Sequence, residues 1–163
     1  MAGAERGAPQ RARCPRRRWL GFFGGGALLW VAGRAAGETS RPGPIVQPAS
    51  RDRAAFARRA LDLRDEALRR GDQPYGAVVV RNGEIVGEGV SAVVTDRDPT
   101  AHAEMVAIRA AARRLGTPDL AGCELYGSSR ACPMCEAAAY WARLARMYHG
   151  VDAADAGAPT LRG

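Results

Sequence analysis

The sequence predicts an α/β layered domain. Three observations carry that reading. Runs of β-branched residues alternate with segments of helical periodicity. Asn82-Gly83 separates two such runs, the pattern of a tight hairpin. Glycine or proline follows the helical stretches that end near residues 70 and 115. The 163 residues suit one domain with a short appendage, and a hydrophobic fraction of 47% excludes global disorder.

Residues 1–37 read as an export signal. Arg16-Arg17-x-Trp19-Leu20 precedes an uncharged apolar run and resembles the twin-arginine type. The run falls short of the roughly 20 residues a stable membrane span needs. The expected location is therefore the periplasm, or the cytoplasm if the leader is inactive. Residues 38–50 are Pro-rich and read as a linker. The net charge of +7 is concentrated at the N-terminus. Residues 1–37 carry seven Arg and one acid, whereas residues 38–163 carry seventeen Arg and sixteen acids. The domain thus lacks the overall basic bias of a nucleic-acid binder.

The domain is expected over 51–157. Ser50 can cap a helix over 51–70, with Phe56, Ala60, Leu61, Leu63 and Leu68 on its apolar side. Gly71 stops it. Residues 76–81 and 84–90 form the hairpin strands. A polar loop, 91–100, leads to an Ala-rich helix over 101–115. Residues 123–126 form a strand, Pro133 suits the first turn of a helix running to about 143, and 146–148 form a further strand. Beyond residue 150 the chain is small and polar, with a short tail over 158–163.

The chemistry lies in His102-Ala103-Glu104 and Cys132-Pro133-Met134-Cys135, each opening a predicted helix. Alone, Cys-x-x-Cys is compatible with a disulfide, a redox pair or half of a zinc ribbon. With a histidine at the start of a neighbouring helix, it points to Zn2+, one ion per chain, held by His102, Cys132 and Cys135. Two cysteines three apart in a first helical turn can face one ion, and the positive end of the helix dipole favours thiolates. Three protein ligands leave one place for water, the arrangement of a catalytic zinc. Glu104, two residues from the histidine, is the candidate proton shuttle. His-x-Glu followed by Pro-Cys-x-x-Cys is the pattern of zinc deaminases of bases; here Ala131-Cys132 replaces the Pro-Cys step.

These residues resemble the cytidine-deaminase-like superfamily, within it the guanine deaminase and tRNA adenosine deaminase branch. The likeness is carried by residues 98–104, 132–135, 140–143 and 152–157, with Pro74-Tyr75-Gly76-Ala77 at a strand entry. It implies a three-layer α/β/α fold, a mixed five-stranded sheet flanked by helices, and a homodimer. It also implies hydrolytic deamination of a small-molecule nucleobase or nucleoside, guanine first. Deamination of adenosine or cytosine in tRNA is the alternative, and a catalytically degenerate zinc-binding relative is the third reading. The family carries Asn, contacting the base, where Ser91 stands, and Glu-Pro where Arg130-Ala131 stands.

The candidate substrate contacts are Ala103, Ser91 and Tyr75. The Ser91 hydroxyl can meet a base or be solvated in its loop, and Tyr75 can line a pocket or pack in the core. Arg130 faces either an anionic group or solvent. Tyr140, Trp141 and Tyr148 are assigned to core and dimer packing, His149 to the surface, and Cys123 to a buried free thiol.

Overall fold

The computed structural model describes residues 44–161. The export signal expected over 1–37 and the first part of the linker lie outside the described residues. Helix α1 spans Arg53–Arg69, strands β1 and β2 span Gly76–Arg81 and Glu84–Val90, and α2 spans Ala103–Leu115. They are followed by β3 (Cys123–Gly127), α3 (Pro133–Trp141), β4 (Arg146–His149) and β5 (Ala154–Gly157).

The strands form one mixed sheet in the order β2-β1-β3-β4-β5. β3 and β4 are parallel, and the other pairs are antiparallel. Side-chain alternation divides the core between the two faces. Ala77, Val79, Leu125 and Met147 pack with residues of α2 and α3 on one face. Val78, Val80, Tyr126 and Tyr148 pack with Phe56 and Leu63 of α1 on the other. This is the three-layer α/β/α arrangement the resemblance implied. β1 is buried on both faces, which is why it reads as a continuous apolar run.

The hairpin turn forms as its residues require. Asn82 and Gly83 both take positive φ, 52° and 75°, the geometry that Asn-Gly tolerates. α1 is capped differently from the expectation. Asp52, not Ser50, is the N-cap and accepts the Ala55 N–H at 2.8 Å, while the Ser50 hydroxyl donates to Asp52. A carboxylate two residues nearer the free N–H groups is the better acceptor. Leu68 is 56% exposed rather than packed; the small Ala55, Ala57 and Ala67 are buried in its stead.

Those small residues reflect close packing of helices on glycine-bearing strands. A Cβ on Gly89 would sit 2.0 Å from the Ala103 carbonyl oxygen, and one on Gly76 would sit 2.3 Å from that of Ala60. The helices therefore rest on the sheet backbone itself.

β5 lies where the residues alone suggested a strandless tail. Its side chains are small and mostly exposed, so it carries no alternating signal. Backbone pairing with β4 and an Arg146–Asp155 ion pair hold it. The linker also joins the fold. The Gln47 carboxamide donates to the Ile85 carbonyl and accepts its N–H, both at 2.8 Å. It thereby satisfies the exposed edge of β2 as a neighbouring strand would. Among the described residues, no helix is long and apolar enough to cross a membrane.

Candidate metal and active site

β2 and β3 are each antiparallel to β1, so they run in the same direction. α2 follows β2 and α3 follows β3, and both helices therefore begin at the same edge of the sheet. This is where α/β folds bind ligands. His102 is the N-cap of α2 and Cys132 the N-cap of α3, both in extended backbone, and Pro133 opens the helix that carries Cys135. Neither side chain caps its own helix, and the two converge instead on one point.

The His102 Nδ1 lies 3.6 Å from Cys132 Sγ and 3.7 Å from Cys135 Sγ, and the two sulfurs are 3.6 Å apart. Zinc bonds of about 2.3 Å to sulfur and about 2.0–2.1 Å to nitrogen, at tetrahedral angles, place such atoms roughly 3.5–3.8 Å apart. The triangle thus has the edges of one face of a zinc tetrahedron. Burial, then the negative charge of Glu104, pushes the Cys135 thiol far up. A cation between the three atoms supplies the positive charge that thiolate needs. The donor set fits zinc.

Glu104, in the first turn of α2, is 6% exposed. Its Oε2 lies 3.6 Å from Cys135 Sγ, yet it falls outside the group of three that could share an ion. Burial pushes its carboxyl up, against the opposing effects of its own backbone N–H, the Cys135 thiol and His102. A buried, uncoordinated carboxylate beside a metal triad can carry protons.

Two cavities meet at Glu104. One, of about 310 Å³, is lined by Gln73, Tyr75, His102, Ser129, Arg130 and Cys132 as well as Glu104. The other is narrow, about 20 Å³, and reaches Gly127, Glu136 and His149.

The family model for the cytidine and deoxycytidylate deaminase zinc-binding region matches residues 50–151. The chain belongs to that family. Guanine deaminase of Bacillus subtilis is 46% identical over 106 residues, covering 63% of this chain and 68% of that protein. A tRNA-specific adenosine deaminase of Aquifex aeolicus is 42% identical over 92 residues, 56% of this chain and 61% of that one. The crystal structure of the Bacillus subtilis guanine deaminase superposes with a TM-score of 0.57, covering 58% of this chain and 61% of that chain. The chain thus spans about two thirds of the relatives it matches.

Within this deaminase-family chain, the residues singled out in the sequence divide into two groups. His102, Cys132, Glu104 and Tyr75 line the larger cavity, where Tyr75 is 40% exposed rather than packed in the core, and Cys135 completes the triad from a fully buried position beside them. Ala103 and Ser91 do not line it. Ala103, the first residue of α2, is fully buried in the core. Ser91 is 2% exposed rather than solvated, and its hydroxyl donates to Asp72 Oδ1 at 2.8 Å. His149 is half-buried and lines the narrow cavity together with Glu104, rather than lying on the surface. Tyr148 is buried and stacks on Tyr126 at 4.8 Å, but Tyr140 and Trp141 are 43% and 73% exposed and so outside the core. Cys123 is a buried free thiol.

Asp72 and Gln73 were not singled out from the sequence. Asp72 accepts from the backbone N–H groups of Gln73, Val94 and Thr95 and from the hydroxyls of Ser91 and Thr95. Burial pushes its carboxyl up, but these donors prevail and hold it well below the ordinary carboxylate range. An Asp just after a helix stop reads as a turn residue; only the folded loop brings five donors to it.

Proposed function

We propose that this chain hydrolytically deaminates a free purine base, guanine first, releasing ammonia. The observation that carries the reading is the buried Glu104 carboxylate beside the His102–Cys132–Cys135 triad, at the end of a cavity of about 310 Å³. When bound, a zinc ion there acidifies water so that a nucleophile is available at neutral pH. His102, Cys132 and Cys135 would hold the ion. Glu104 takes the first proton of the attacking water on a carboxylate oxygen and passes it to the ring nitrogen of the base, then takes the second from the hydroxyl of the addition product and delivers it to the departing amine. Water's oxygen replaces nitrogen on the carbon, and ammonia leaves. The raised proton affinity of Glu104 suits a group that must hold and release a proton.

The guanine deaminase among the relatives supports the choice of base. Deamination of adenosine in tRNA is the second reading, supported by the tRNA-specific relative. The near-balanced charge of residues 38–163 favours the small base. The test is ammonia release by zinc-loaded protein from guanine, adenine, cytosine, their nucleosides and a tRNA. Release from guanine is expected. Release from tRNA alone would replace this reading with the second, and silence throughout would favour a degenerate zinc-binding relative. Tyr140 and Trp141 are suited to a homodimer contact, which light scattering of the purified protein tests.

A further inference from the structure

We propose that Gln73 determines base specificity: its carboxamide reads the hydrogen-bonding edge of the bound base, and Asp72 holds it in place. This rests on the reading of the cavity as a base pocket. The family resemblance placed a base-contacting amide where this chain has Ser91, but Ser91 cannot take that role. It is 2% exposed, does not line the cavity, and its one hydroxyl proton goes to Asp72.

Gln73 lies on the cavity wall with Tyr75, His102 and Glu104. It is half-buried, and its carboxamide has no hydrogen-bond partner among the described residues. Its backbone is fixed on both sides. The Gln73 N–H donates to Asp72 Oδ1 at 2.7 Å, and its carbonyl accepts the Tyr75 N–H at 2.7 Å. The Tyr75 carbonyl accepts the Ser91 N–H at 3.0 Å, and the Ser91 hydroxyl returns to Asp72. The ring is closed, so the stem of Gln73 is ordered before any ligand arrives.

A carboxamide offers an acceptor and two donors side by side. This matches the adjacent donor and acceptor on the edge of a purine that carries a ring N–H beside a carbonyl. Arg130, on the same wall, offers donors only. A polar pocket group of this kind rejects ligands that leave it unpaired.

Calorimetric binding to zinc-loaded Glu104→Gln protein, which holds the base without turnover, tests the assignment. Adding Gln73→Ala should weaken guanine binding about tenfold and weaken unsubstituted purine, which keeps only a ring-nitrogen acceptor on that edge, severalfold less. Zinc content should be unaltered and the melting temperature should stay within about 2 °C. Equal weakening of both ligands, or none for guanine, would overturn the proposal. The deaminase reading fails separately: Gln73-dependent guanine binding without ammonia release in otherwise wild-type protein would end that reading and leave this one intact. Ammonia release whose KM ignores Gln73→Ala would do the reverse. Lack of any guanine binding would overturn both.

Discussion

Glu104 is a single carboxyl whose surroundings set its role. It sits beside the metal triad without belonging to it, so removing its charge need not disturb the ligands. Glu104→Gln is expected to keep one zinc per chain while turnover falls by about a hundredfold or more, checked by metal analysis and ammonia release on the same sample. Cys135 differs, because its burial and its place in the triad tie metal to fold. Cys135→Ala should lose the metal and lower the melting temperature; unchanged zinc stoichiometry would contradict the ligand assignment. Asp72 contributes a pH-dependent part of the stability. Its folded-state pKa lies below the ordinary value of 3.8. Its contribution is therefore complete above that value and is lost as the pH falls from there through the folded pKa. Asp72→Asn should cost about 1–3 kcal/mol at neutral pH by leaving its part-buried N–H and hydroxyl donors poorly paired. The cost should shrink in acid, which urea titrations at pH 7 and below pH 4 would reveal.

At the scale of elements, the site depends on two helices beginning at one edge of the sheet and on how closely each can approach it. α2 lies against β2 because Gly89 has no side chain in the way. Gly89→Ala should therefore destabilise the protein by about 3 kcal/mol. It should also weaken zinc retention, since the clash falls on Ala103, next to His102. Urea unfolding of the zinc-loaded variant checks the first effect, and zinc competition with a chelator the second. α3 ends at Trp141, with Ala142 as its C-cap and Arg143 in the left-handed region at φ 63°, and the chain turns back into β4. That return carries His149 to the narrow cavity it shares with Glu104 and supplies the strand to which β5 pairs.

At the scale of the whole molecule, the charge distribution and the leader make separate claims. The described domain is nearly balanced in charge while the N-terminal 37 residues hold most of the excess. Export through the Arg16-Arg17 pair remains our proposal for where the protein acts. It suits a domain that closes around a metal before crossing a membrane. Replacing both arginines with Gln should retain the protein in the cytoplasm, as fractionation of expressing cells would show; unaltered partitioning would remove the export reading.

The candidate zinc ligands, their spacing, the candidate proton carrier and seven of the eight described elements could be read from the residues alone. Each of these rests on local rules: a glycine that ends a helix, a proline that opens one, alternation along a strand, or donor types at a fixed separation. Tertiary structure alone decided β5, the Asp52 cap, the burial of Ser91 and the place of Gln73 on the cavity wall. β5 has no apolar face to announce it and exists because β4 offers an unpaired edge. Ser91 and Gln73 look like ordinary loop residues until Asp72 gathers donors from segments some twenty residues apart. Hydrogen bonds between distant segments leave no periodicity in the chain, and so only the folded backbone could reveal them.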